Sequence, residues 1–317
     1  MTVQNPNRDK CYFSSALLYP KYWTTWFGLL VFFLLTLLPM FITDWVGCCL
    51  GSVAEKKNKK RFNIVKTNLS LCFPSKAESE IDFMVGEYFK AQYRSLTHYF
   101  LLWWRPISVV RKKIKTNGFE KIAHHQSQGK NIIIMLPHTV GLEFAVAAIF
   151  MAHASNGPYK PMNNPVIDWM VAKGRMRFGR AKGAKLFTRE DGLRPLIRET
   201  RAGKVLVYLA DEDLGRKNSI FIPFFGVPKA TIPVLGRLAK SCDAVVLPCV
   251  ACYNPNDKRY VISLLDEIEN MPVGDDKKDS LAMNQSIEQV IDYCPAQYLW
   301  ALRYFRTRPN GETSLYE

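Results

Sequence analysis

The sequence predicts an α/β protein: a mixed, largely parallel sheet flanked by helices, preceded by an N-terminal membrane-anchoring helix. Three observations carry this. Downstream of about residue 76, short apolar runs alternate with segments whose apolar residues recur at helical spacing. That alternation suits parallel strands joined by crossover helices. Near the N-terminus stands one long run without a charged residue, and no second run of that length and no internal repeat follows it.

The long run covers residues 22–43, YWTTWFGLLVFFLLTLLPMFIT, about the ~20 residues a helix needs to cross a bilayer. Tyr22, Trp23 and Trp26 lie at one end and Trp45 just past the other, as in an interfacial belt. Pro39 is expected to kink or end the helix. The run is too long for a signal peptide and has no small-residue cleavage site after it. The cluster Lys56, Lys57, Lys59, Lys60 and Arg61 follows, and by the positive-inside rule it faces the cytoplasm or grips anionic headgroups. Residues 1–62 are read as anchor and basic segment, and residues 63–317 as the α/β domain.

Within that domain, residues 75–104 read as a helix opened by a Ser75/Glu78 capping box and closed by Tyr99, Phe100, Trp103 and Trp104. NIIIMLP reads as a strand and LEFAVAAIFMAHA as a helix. KVLVYLA is a strand, TIPVLGRLAKSC a helix, and AVVLPCVACY and RYVISLL two more strands. SLAMNQSIEQVIDYC and AQYLWALRYF read as closing helices.

The chain has 317 residues, 48% hydrophobic, which excludes a disordered chain. Its net charge of +15 favours anionic partners: nucleic acid, an anionic membrane, phosphorylated lipid or an acidic protein. No nucleic-acid-binding motif is present. The eight cysteines read as packing residues or free thiols. Cys249 and Cys252 form a C-x-x-C inside an apolar strand, without the second ligand pair of a zinc site or the helix start of a redox pair. This usage suits a reducing compartment.

Candidate chemistry begins at the end of the first strand. In NIIIMLPHTVGLE, His138 falls in the turn and Glu143 on the first turn of the next helix. Carboxyl ends of strands are where such sheets do chemistry. Glu143 pointing back can accept the proton of one imidazole nitrogen and leave the other as a base. Alone, H-x4-E is a short pattern, and an ordinary polar turn with an exposed Glu is much the better account of it; only context changes that. Asp211 and Asp213 in YLADEDLG also follow a strand. A D-x-D suits a divalent ion with a nucleotide sugar, as in metal-dependent glycosyltransferases; it also suits a turn with capping acids, the reading kept for Glu212. Asn163 and Asn164 precede Pro165 in a turn and shape either a binding site or only that turn.

The chain resembles the lysophospholipid acyltransferase superfamily in its H-x4-D/E. Within it, it resembles the lipid A biosynthesis acyltransferases, which acylate the Kdo2-linked lipid A precursor. The resemblance covers FSSALLYPKYWTTWFG, NLSLCFPS, the H-x4-E, NNPVIDWM, FTRED, YLADEDLG, SIFIPFFGVPKAT and AQYLWALRYFRTRPNG, in order along the chain. Glu143 stands where the glycerolipid branch carries Asp, and Leu302 where some lauroyl-transferring relatives carry His.

The resemblance implies transfer of a fatty acyl chain from an acyl carrier protein thioester to the 3-hydroxyl of a hydroxyacyl chain on the phosphorylated lipid A precursor. It implies His138 as general base, Glu143 as its orienter, and no cofactor or metal. Arg189 in FTRED is implied as a guanidinium for phosphate or the developing oxyanion, and Asp211 as the stronger of the two aspartates. It places the protein at the bacterial inner membrane with its domain on the cytoplasmic face, in contact with membrane lipids. The nearer alternative is acyl transfer to lysophosphatidate or another glycerolipid. The farther ones are the glycosyltransferase and a non-enzymatic lipid-binding scaffold.

Overall fold

The computed structural model describes residues 13–316, apart from the side chain of Arg189. Two short 3-10 turns lead into helices α1 (Trp23–Leu37) and α2 (Met40–Lys57). The uncharged run is therefore divided: Leu38 and Pro39 are extended, and Pro39 caps the second helix. Proline has no N–H to continue α1, which ends after 15 residues. Among the described residues no helix is long and apolar enough to cross a membrane. The uncharged run is thus two helices, and one face of α2 packs on the protein. Its Gly47 and Gly51, one turn apart, let the backbone of a neighbouring helix approach; an added Cβ would meet Arg94 Cα at 2.5 Å and the Phe89 carbonyl at 2.6 Å. Its Asp44 accepts from the Tyr253 hydroxyl at 2.8 Å and pairs with the buried His98 at 3.1 Å.

Helices α3 (Lys59–Cys72), α4 (Glu78–Trp104) and α5 (Ile107–Lys112) follow. The expected boundary after residue 62 falls inside α3, whose Val65, Leu69 and Cys72 are buried in the main core. The expected Ser75/Glu78 cap is replaced by another: Ala77 is the N-cap, and Glu80 Oε2 accepts from its backbone N–H at 3.0 Å. Alanine has no side-chain oxygen, so only one half of a capping box is present.

The rest alternates as expected: β1 (Ile114–Asn117), α6 (Glu120–Ser127), β2 (Asn131–Met135), α7 (Leu142–Ala152), β3 (Ser155–Tyr159), α8 (Pro165–Gly179), β4 (Lys185–Thr188), α9 (Arg194–Arg201), β5 (Val205–Tyr208), β6 (Ile220–Phe224), β7 (Val227–Thr231), α10 (Val234–Cys242), β8 (Ala244–Asn254), β9 (Arg259–Leu264) and α11 (Asp276–Asp292). Seven strands form one sheet in the order β1-β9-β8-β2-β5-β3-β4. Every adjacent pair is parallel except β8 with β9. The remaining two strands form a separate antiparallel hairpin, turned by Phe225 and Gly226 at φ 49° and 78°. Positive φ at both central residues is what a two-residue hairpin turn demands.

Strand β2 shows why the sheet must be covered on both sides. Ile133 and Met135 enter one core cluster with α3, α4, α10 and α11, while Ile132 and Ile134 enter another with α7. Side chains alternate across a strand, and burying each such residue contributes roughly 1.5–3 kcal/mol. Residues 132–135 of this strand are apolar throughout because neither face sees water.

Two expectations near the C-terminus are corrected. AQYLWALRYF does not form a helix; beyond a short 3-10 turn at Pro295–Gln297 it is an irregular strap. Its backbone bonds to the segment after β2 instead: Leu299 N–H donates to the His138 carbonyl at 2.8 Å, and Val140 N–H to the Gln297 carbonyl at 2.9 Å. Tyr298, Trp300, Tyr304 and Phe305 are all buried. The cysteines are not all free either, since Cys252 on β8 is disulfide-bonded to Cys294 just past α11. Cys48, Cys49, Cys72, Cys242 and Cys249 are free, and Cys11 lies outside the described residues.

Candidate active site

Strands β2, β5, β3 and β4 run parallel, so their carboxyl ends share one edge of the sheet. Leu136 N–H extends the ladder to the Tyr208 carbonyl, and the chain then turns through Pro137 to His138. Gly141 at the start of α7 has no room for a side chain, because a Cβ would stand 2.6 Å from the Ala251 carbonyl. Met135 on β2 is in register with Tyr208 on β5. His138 lies three residues beyond the first and Asp211 three beyond the second, so the register brings them side by side.

The contact is close. His138 Nδ1 is 2.6 Å from Asp211 Oδ1, and the His138 backbone N–H donates to Oδ2 at 2.8 Å. The Tyr298 hydroxyl donates to the same Oδ2 at 2.9 Å. Asp211 has no exposed surface, whereas the His138 ring retains some. Burial alone raises the Asp211 pKa, but the charge and hydrogen bonds of His138 overcome it and bring it down to about 2. Burial likewise works against a charged His138, yet Asp211 outweighs it and holds the imidazole above its ordinary value. Nδ1–H donates to the carboxylate, so Nε2 is the acceptor of the neutral ring. Glu212 Oε1 lies 3.5 Å from Nε2, on a half-exposed side chain.

Glu143 is therefore not the partner of the histidine ring. It sits on the first turn of α7 and binds Arg175 of α8 through both carboxylate oxygens, with Nε at 3.0 Å from Oε2. Arg175 also lies over the Tyr159 ring, 5.5 Å from its centre. A separation of five places Glu143 beyond the ring of His138 and facing α8. Arg175 carries no local pattern in MVAKGRMRFGR, and its role shows only when α7 and α8 pack together.

The remaining candidates divide. Asp213 is turned to the C-terminal segment, accepting from Thr307 N–H at 2.6 Å, Thr307 Oγ1 at 2.8 Å and Gly215 N–H at 2.9 Å. The D-x-D is thus two carboxylates with separate partners, and among the described residues no three His, Cys, Asp or Glu side chains gather as a metal ion requires. Asn164 caps α8, its Oδ1 accepting from Val166 and Ile167 N–H, while its Nδ2 donates to Thr25 at 2.9 Å. Asn163 is exposed beside it. Arg189 opens the 3-10 turn after β4, on the same sheet edge; its side chain lies outside the described residues.

A buried aspartate holding one nitrogen of a partly exposed histidine is suited to moving a proton at the other nitrogen. Residues 10–307 match the family model described as bacterial lipid A biosynthesis acyltransferase. The chain belongs to that family. It is 34% identical to a lipid A biosynthesis lauroyltransferase of Escherichia coli (strain K12), over 96% of this chain and 98% of the relative. It is 32% identical to the palmitoleoyltransferase of the same strain, over 97% and 99%, and 30% identical to its myristoyltransferase, over 96% and 94%. The protein is thus an acyltransferase of lipid A biosynthesis. These three relatives are named for three different acyl chains at similar identity, so overall likeness does not select a chain length.

Proposed function

We propose that this lipid A acyltransferase moves a fatty acyl chain from an acyl carrier protein thioester to a hydroxyl of a hydroxyacyl chain on the Kdo2-linked, phosphorylated lipid A precursor, with His138 as general base. The observation that carries this reading is the 2.6 Å contact between His138 and the buried Asp211. A hydroxyl is a poor nucleophile at neutral pH, and a base must remove its proton during attack. His138 Nε2 takes that proton as the oxygen bonds to the thioester carbonyl carbon. The tetrahedral intermediate then expels the thiolate as the C–S bond breaks, and the imidazolium returns the proton to sulfur. No covalent acyl-enzyme is required.

Asp211 fixes the ring and stabilises the imidazolium. Glu143 acts by holding Arg175, whose guanidinium supplies positive charge beside the start of α7 for the developing oxyanion or a lipid phosphate. Arg189, on the same edge, offers a second cation for phosphate. Asn163 and Asn164 shape the acceptor side of that edge.

The bilayer contact is a helix lying in the interface. Trp23, Phe27, Leu30, Leu34 and Leu37 are exposed along α1 at spacings of four, three, four and three, one continuous stripe. Phe41 and Trp45 add to it from α2. A net charge of +15 suits an anionic inner leaflet, a phosphorylated acceptor and the acidic carrier protein alike.

The test is a choice of acceptors. Purified protein with labelled acyl-carrier thioester is offered lipid A precursor or lysophosphatidate, with chelator present. Label appearing on the lipid A precursor supports the proposal. Label on lysophosphatidate alone moves the enzyme to glycerolipids, and turnover that needs a divalent metal and a nucleotide sugar rejects acyl transfer.

A further inference from the structure

Lys229 is the most anomalous side chain outside the site. It lies on β7 with no exposed surface, and its Nζ has no hydrogen-bond partner among the described residues. Its Nζ lies over the Phe224 ring, 4.9 Å from the centre. A buried ammonium without a partner is costly, and lysines are rarely fully buried unless paired. Nothing in the reaction described above uses it.

Its place in the fold gives it a use. The hairpin is tied to the C-terminal segment by Arg308, which donates to the Pro228 carbonyl at 2.7 Å, and the adjacent Thr307 is bound to Asp213. Phe224, beneath the ammonium, packs against Tyr304 at 6.3 Å between ring centres. Tyr304 stacks on Tyr298 at 4.9 Å, and the Tyr298 hydroxyl donates to Asp211. Both routes connect the hairpin that carries Lys229 to the segment that holds Asp211 and Asp213. We infer that Lys229 is a positioning residue for the proposed reaction: its buried charge opposes the pull of Asp211 on the His138 proton and enlarges the share of resting His138 that is neutral and can act as a base.

The charges around it are few. Asp211 and Asp213 face Lys229 from the segment after β5, Glu288 from α11 and the Cys72 thiol from the end of α3. Burial drives the Lys229 pKa down to about 8, against the pull of the two aspartates. His138 faces Asp211 and Glu212, which favour its charged form, and Lys229, which opposes it. A cation near a histidine lowers its proton affinity, so removing the cation must raise it. More of the resting enzyme then holds His138 protonated at neutral pH.

The inference rests on His138 being the base, and the experiment separates the two claims. His138 is followed by NMR in the full-length, detergent-solubilised protein, with wild type compared to Lys229→Met and Lys229→Arg. In Lys229→Met the midpoint rises by up to about one pH unit, a tenfold change in proton affinity. The acidic limb of kcat/KM follows it, so activity falls below pH 7 and meets or exceeds wild type at pH 9. Lys229→Arg restores the wild-type midpoint. A uniform loss of activity with an unmoved His138 midpoint rejects the inference, since that is a packing defect. If Lys229→Met does not fold, wild type decides alone: Lys229 deprotonating near pH 8, with a second inflection at His138, supports it, and an ordinary lysine midpoint without that inflection overturns it. A moved His138 midpoint in an enzyme whose turnover survives His138→Ala sinks the base assignment and leaves the electrostatic one standing.

Discussion

His138 Nδ1 and Asp211 Oδ1, from residues 73 positions apart, stand 2.6 Å from each other at the ends of two paired parallel strands. The same carboxylate also receives the His138 backbone N–H. It therefore fixes both the ring and the turn that carries it.

Asp211→Asn removes the charge and offers the ring a donor or acceptor of either kind. Turnover falls by about 10³–10⁴-fold, the size of effect seen when a base loses its orienting carboxylate. The His138 midpoint drops, because the partner that raised it is gone. NMR titration of His138 checks this, and an unchanged midpoint contradicts it.

Glu143→Gln acts differently. It breaks the partly buried pair with Arg175, costing about 2–3 kcal/mol of stability, and leaves the His138 Nδ1 contact intact. Turnover falls by roughly 10–100-fold through the misplaced guanidinium. A cycle with Arg175→Met shows strong coupling, whereas a cycle with Asp211→Asn is closer to additive. Additivity of Glu143→Gln with Arg175→Met rejects the pairing.

These two carboxylates show what the sequence makes legible. The strand–turn–helix around His138 is plain in NIIIMLPHTVGLE, because apolar periodicity is a local signal. So is the break at Pro39. Which carboxylate meets the ring is not local, since it follows from β2–β5 register, and spacing along the chain favours the nearer Glu143. Arg175, Lys229 and the Cys252–Cys294 bond share this property: each is defined by an element far away in sequence. The strap from residue 296 misleads for a related reason. Its aromatics are spaced as in a buried helix, but its backbone bonds are taken by the His138 turn.

Stability toward acid has an identifiable source in Glu199 of α9, held by Lys185 and Lys204, each at 2.8 Å. Burial raises its pKa, but the two lysines prevail and bring it down to about 2, from an unfolded value of 4.5. A depressed carboxylate stabilises the fold above its unfolded pKa, and this stabilisation is lost as pH falls through the folded one. Glu199→Gln is therefore less stable than wild type at pH 7, and the gap closes between about pH 5 and pH 2. Thermal melting across that window checks it; a gap that persists at pH 2 is the contrary result.

Replacing Phe27 and Leu34 together by Ser cuts the exposed stripe of α1 at its middle. Sedimentation with vesicles containing anionic lipid falls by roughly tenfold or more, from the apolar area removed. Assay of the short-chain, detergent-dispersed acceptor changes little. Equal loss in both assays contradicts an interfacial role for α1.

The most direct measurement is a single-turnover reaction of acyl-carrier thioester with lipid A precursor, read by mass spectrometry of the lipid. With wild-type protein the precursor gains one acyl chain. With folded His138→Ala the rate drops by at least about 10³-fold while carrier and lipid still bind. Acylated lipid formed by His138→Ala at a rate near wild type contradicts the account.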